Sequence, residues 1–126
     1  KFASQANEQK LAAKAGTDLP PLDQLLLLDD VRFRHYFAGT PVRRAGYDRF
    51  MRNVLIAAGN SDDRALVPLV RSCLNHQAVV VRAMAVWALS QLMDQQAWIT
   101  LKHQYLPFET NETICAEWNN AEGFLQ

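Results

Sequence analysis

Four arginines fall within ten positions of one another, Arg43, Arg44, Arg49 and Arg52. Each guanidinium is a planar fork of donors that matches a phosphate or a carboxylate. Asn53 follows Arg52 directly and completes the set. Side chains of these types at this density suit contacts to RNA or to a cofactor's phosphates. The same residues are also open to a plainer reading, as a solvated helix face or as partners of Asp48, Asp62 and Asp63.

Other residue types lead less far. Ser61, Asp62 and His76 contain the groups of a hydrolytic triad, but a Ser-Asp pair ahead of an apolar run is a helix cap, so hydrolase chemistry is excluded. His35, His76 and His103 stand apart from one another and from Cys73 and Cys115, and there is no C-x-x-C pair. A zinc or iron–sulfur site built from this chain alone is therefore not expected. Cys73 lies in an apolar pattern and reads as a buried reduced thiol. The five glycines are scattered, so no phosphate-cradling loop is present. Asn111-Glu112-Thr113 matches a glycosylation tripeptide, which carries no information without secretion.

The charge pattern narrows the class of partner. Thirteen basic and thirteen acidic side chains cancel, yet every arginine lies between residues 31 and 82. That segment carries +6, against −2 for residues 1–30 and −4 for residues 83–126. Such segregation points to an anionic partner, unless folding interleaves the basic middle with the acidic ends. A length of 126 residues fits one domain, and 49% hydrophobic composition supports a buried core. No apolar run is long enough to span a bilayer, and no membrane partner is expected. The opening Lys1-Phe2-Ala3-Ser4, without Met, reads as a boundary inside a longer protein.

The elements that must position these groups are helices. Residues 1–15 read as a polar helix or tail, and Gly16 to Pro21 as a break. Leu22–Leu28 is a short helix, and Asp29 or Asp30 caps a second over Val31–Phe37. Ala38-Gly39-Thr40-Pro41 is a turn, and Arg43 and Arg44 lie in a turn as well. From Tyr47, Phe50, Met51, Val54, Leu55 and Ala58 make an apolar stripe that puts Arg49, Arg52 and Asn53 on the opposite side with Ile56. Tyr47 begins the stripe and reads as core rather than as a stacking platform. Asn60 reads as satisfying backbone at the helix end. A further helix carries Leu66, Val67, Val70, Cys73 and Leu74, with Pro68 in or just past its first turn. Ala78–Met93 is apolar nearly all round and is expected between neighbours. Arg82 on it is expected to bond turn carbonyls of the next repeat. Gln95–Tyr105 is next, and Thr110 or Asn111 caps the last helix. Trp87, Trp98 and Trp118 are expected in the core. Arg32 and Arg34 face away from Phe33 and either extend the basic surface or solvate it; His35 is a surface residue. Helices joined by such short turns are antiparallel neighbours, as in α-solenoids.

Two stretches resemble known families. Arg64–Leu92 resembles a HEAT-like repeat of the phycobilisome-lyase type, through Ala65-Leu66-Val67-Pro68-Leu69, Val81-Arg82-Ala83 and Trp87-Ala88-Leu89. The turn Asp usual in such repeats is replaced here by Asn75-His76-Gln77. Phe37–Gly46 followed by Arg49–Ser61 is similar to the C-terminal part of bacterial epoxyqueuosine reductase, in an ordered Arg-Arg-x-Gly-x-x-Arg-Phe-x-Arg-Asn string. Lys1-Phe2-Ala3 resembles the residues just after the Cys-Pro-Trp-Asn run that ends that family's second cluster motif. The resemblance implies an all-α fold of HEAT-like antiparallel repeats, an α-α superhelix, over residues 22–126, with 1–21 a tail from an upstream domain. It implies a parent enzyme that reduces epoxyqueuosine to queuosine in tRNA with cobalamin and two [4Fe–4S] clusters, none of whose ligands are in this chain. The implied partners are the anticodon region of tRNA, bound through Arg43, Arg44, Arg49, Arg52 and Asn53, and the parent's own N-terminal catalytic domain. The implied setting is a cytoplasmic monomer. The alternative is a HEAT-like scaffold that contacts protein only.

Overall fold

The computed structural model describes residues 19–124, and the readings made on residues 1–18 lie outside it. The described residues are helical, with no strand among them. Pro21 supplies extended backbone (ψ 159°) ahead of α1, Leu22–Leu26, whose Leu22, Leu25 and Leu26 are buried. The Asp29 carboxylate then accepts the Arg32 N–H at 2.8 Å and starts α2, Asp30–Tyr36. This is an N-cap that satisfies a donor left without an intrahelical partner.

Where a turn is expected at Arg43 and Arg44, the chain forms a third helix, α3, Pro41–Ala45. Local chemistry explains it. The Thr40 hydroxyl oxygen accepts the Arg43 N–H at 3.4 Å, and Pro41 holds the first helical position, where its missing N–H costs nothing. Gly46, at φ +99°, ends α3 and turns the chain straight into α4, Tyr47–Gly59. An L side chain is disfavoured in that backbone conformation.

Asp63 accepts the Ala65 N–H at 3.0 Å and opens a 3-10 turn that leads into α5, Val67–Ser72. Pro68 sits in the first turn of α5, where its missing N–H costs little. A second 3-10 turn, Cys73–Asn75, leads to α6, Val79–Leu92. Asp94 caps α7, Gln95–Tyr105, and Asn111 accepts the Thr113 and Ile114 N–H groups to start α8, Glu112–Phe124.

Helix α6 is the axis of the packing. It crosses α4 and α8 most extensively and also touches α5 and α7. The approach to α4 is close at Gly59, where a Cβ would collide with the Trp87 ring and stand 3.1 Å from Ala88 Cα. Two aromatic clusters anchor the ends. Phe33, Phe37 and Phe50 bring ring centroids to 5.0–5.3 Å, locking α2 to α4, and Trp98 meets Trp118 at 5.5 Å between α7 and α8. Each such buried ring contributes roughly 1.5–3 kcal/mol. Two expectations are corrected. Helix α6 is not covered all round, because Val80 is exposed and Trp87 only half-buried. Arg82 bonds His76 O at 2.9 Å and Gln77 O at 3.0 Å, carbonyls of the turn before its own helix rather than of a following repeat.

Candidate nucleic-acid interface

The five residues singled out for RNA contact lie on two consecutive helices whose buried faces aim them. In α3 only Val42 is buried, so Arg43 and Arg44 project into solvent. In α4, Phe50, Met51, Val54, Leu55 and Ala58 fill the core, which leaves Arg49 and Arg52 exposed one turn apart and Asn53 at the edge. Arg52 Nη1 donates to Asn53 Oδ1 at 3.4 Å, so the amide can hold the guanidinium in place. Gly46 sets the angle between the two pairs of arginines.

Among the described residues, Arg43, Arg44, Arg49 and Arg52 make no ion pair. The reading that pairs them with Asp48, Asp62 and Asp63 is therefore not realised. Asp63 is occupied as a cap, and Asp62 stands in the left-handed region at φ +58°. Two arginines elsewhere are paired: Arg34 with Asp30 at 3.1 Å, one turn apart on α2, and Arg82 with Glu109 at 4.0 Å. The first is solvent-exposed and adds little stability. The second is the one pair that joins the basic segment to the acidic C-terminal segment among the described residues. Among the described residues, Arg32 on α2 and the four arginines of α3 and α4 are thus left without an ion pair.

The structure also gathers residues that the sequence left separate. An open groove of about 670 Å³ between α2 and α3 is lined by Arg32, Arg34 and Arg43 together with Val31, His35 and Tyr36. Arg43 thus joins Arg32 and Arg34, while Arg44, Arg49 and Arg52 lie outside the groove. Val31 (77% exposed) and Tyr36 (46% exposed) are the large hydrophobics of this groove whose exposure sequence reading missed. A signal was present, because Val31 and Tyr36 sit off the Phe33–Phe37 stripe of their short helix. A second groove, of about 660 Å³, runs over α6 and is lined by Val80, Met84 and Trp87 together with Asn60 and Glu117. Burial there raises the Glu117 carboxyl above the usual carboxylate range.

Tyr47 is placed as structure, not as a stacking platform. Its hydroxyl donates to Leu28 O at 2.6 Å, and its ring packs against Phe33 and His76. Asn60 ends α4 through its own N–H on Ile56 O, and its side chain faces the second groove. As for metal or cluster binding, no three His, Cys, Asp or Glu converge among the described residues. Burial pushes the Cys73 thiol up to about 11, opposite to the shift that favours a thiolate ligand. These residues do not fit an iron–sulfur cluster.

No family model matches the sequence. The chain is 30% identical over 92 residues to an epoxyqueuosine reductase of Xanthomonas campestris, covering 72% of this chain and 26% of that protein. It is 30% identical over 99 residues to one of Alicycliphilus denitrificans, covering 72% and 28%. The fold matches a crystal structure of selenomethionine-labeled epoxyqueuosine reductase at a TM-score of 0.77, with 22% identity over 85% of this chain and 28% of that one. It also matches a crystal structure of epoxyqueuosine reductase with a tRNA-Tyr epoxyqueuosine-modified tRNA stem loop, at the same TM-score and 22% identity, covering 84% and 28%. The resemblance read from Phe37–Ser61 is thereby borne out. The chain is a relative of one segment of these enzymes and spans about a quarter of their length.

Proposed function

We propose that this chain is the tRNA-docking part of an epoxyqueuosine reductase, built of HEAT-like helical repeats, and that it binds rather than catalyses. The observation that carries the reading is the set of exposed guanidinium groups on α3 and α4, free of ion pairs among the described residues. Four exposed cations on one helix–turn–helix unit match a phosphate backbone, with Asn53 steadying Arg52. The tRNA stem loop held by a structurally similar enzyme supports RNA as the anion. In this reading the reduction of epoxyqueuosine to queuosine, with its cobalamin and two [4Fe–4S] clusters, belongs to the remaining three-quarters of the parent protein. The present residues hold the anticodon region against it.

The test is a titration of the chain with a tRNA anticodon stem-loop at two salt concentrations. Replacing Arg43, Arg49 and Arg52 together by alanine is expected to weaken binding at least tenfold. Each lost phosphate contact should also reduce the salt slope by about 0.7–0.9. Unchanged affinity with an unchanged slope refutes the reading. One observation favours a scaffold that contacts protein instead: the apolar groove at Val80, Met84 and Trp87, which carries an acid and no arginine.

A further inference from the structure

The cationic and apolar surfaces of this molecule are mostly separate. The groove over α6 is apolar but bordered by Glu117, so it repels phosphate. Arg44, Arg49 and Arg52 are cationic but line neither groove. Among the described residues, the groove between α2 and α3 brings both properties together. Its lining combines Val31 and Tyr36 with Arg32, Arg34 and Arg43. Its volume of about 670 Å³ lies in the range of small-ligand clefts, roughly 300–1,000 Å³.

We propose that this groove receives an unpaired nucleotide of RNA, with the base stacked on Tyr36 over Val31 and the adjoining phosphates held by Arg32 and Arg43. The proposal rests on the RNA-docking reading and adds to it a site for a base rather than for backbone alone. A paired helix presents phosphates and sugars, and it has no use for a groove lined by an exposed aromatic ring and an exposed valine. A splayed-out base does, because its faces are apolar and its flanking phosphates are anionic. The ring is also held ready. Tyr36 packs edge-on against buried Phe37 at 4.8 Å and 74°, which leaves nearly half the residue in solvent. Arg34 is already engaged with Asp30, so Arg32 and Arg43 are the cations assigned to phosphate.

The experiment compares the full chain's affinity for a fluorescein-labelled RNA stem-loop and for a fully paired RNA duplex with the same number of phosphates. Tyr36→Ala and Val31→Ala change exposed residues outside the buried core. Each is expected to weaken stem-loop binding, Tyr36→Ala by about tenfold, with duplex binding and salt slope unchanged, while Tyr36→Phe retains affinity. A loop carrying 5-iodouridine should crosslink to Tyr36 on irradiation. Equal stem-loop affinity for wild type and both alanine variants, with no crosslink at Tyr36, overturns the proposal and leaves the groove to a protein partner. If wild type binds duplex and stem-loop alike and the arginine variants weaken both, the docking reading stands and this inference falls. If wild type binds neither RNA, both fall.

Discussion

At the scale of single residues, burial has acted most strongly on two titratable groups away from the arginines. The Tyr47 hydroxyl is pushed up to about 12, first by burial and then by the negative charges of Cys73, Asp29, Asp30 and Asp48. The Cys73 thiol is pushed up to about 11 by burial, against a weaker opposing hydrogen bond from Ser72. Both are acids whose folded values exceed the ordinary 10.0 and 9.0. Between the ordinary and folded values the native state holds protons that the unfolded chain has released, so stability must fall as pH rises. The Cys73 contribution is present below pH 9 and is lost through about 11, and that of Tyr47 is lost between 10 and about 12. Urea midpoints at pH 8, 9.5 and 11 should decline step by step. Cys73→Ala should flatten the lower part of that decline. Tyr47→Phe should flatten the upper part while costing about 1 kcal/mol at neutral pH, for the lost bond to Leu28 O. A flat profile from pH 8 to 11 would show that neither group is as buried as the packing requires.

At the scale of elements, the features legible in the sequence were those that local chemistry decides. The caps, read to within one residue as Asp29 or Asp30 and Thr110 or Asn111, the stripe from Tyr47 to Ala58 and the helix Gln95–Tyr105 were all readable, because capping and periodicity are set within a few residues. Helix α3 was not, since five residues with a single buried side chain, Val42, give no periodic signal, and Gly-Thr-Pro reads as well as a turn. The arginine cluster was legible by residue type, but its companions were not. Arg32 and Tyr36 meet Arg43 only because Phe33, Phe37 and Phe50 lock α2 against α4, a contact across the chain. The half-buried state of Trp87 was hidden for the same reason, as the pattern of α6 does not say which of its faces lacks a neighbour. The α4–α6 crossing offers a sharp test of that packing. An alanine in place of a helical glycine ordinarily gains about 1 kcal/mol. At Gly59 the added methyl meets the Trp87 ring and the backbone of Ala88, and α4 must move away from α6. Gly59→Ala is therefore expected to lower stability by about 1–3 kcal/mol and to shift tryptophan emission, read by urea denaturation and fluorescence. Stability equal to or above wild type would rule out the close approach.

At the scale of the whole molecule, the question is how the short helices of the described residues become one cooperative body that can present a fixed cationic surface. Apolar burial along α6 supplies most of the cohesion, but α8 begins far from the turn that begins α6 in sequence, and Arg82 ties the two starts together. Its Nη1 donates to His76 O and Gln77 O, and its Nε stands 4.0 Å from Glu109 Oε1. Glu109 Oε2 in turn accepts the Thr110 and Asn111 N–H groups at 3.0 Å, just ahead of the Asn111 cap of α8. This arginine is thus spent on structure, and its charge is already answered by Glu109, whereas those of α3 and α4 have no ion pair among the described residues. Arg82→Met keeps the aliphatic stem against the core and removes the donors. Loss of charge-assisted bonds to carbonyls should cost about 1.5–3 kcal/mol, with little added by the long, partly exposed ion pair. The transition should stay single, because α6 still touches α4, α5, α7 and α8. Helicity and tryptophan fluorescence should therefore fall together at a lower temperature, while RNA affinity measured below that temperature stays at the wild-type value. The reverse outcome, weaker RNA binding with an unchanged melting temperature, would move Arg82 from the frame of the molecule to its binding surface.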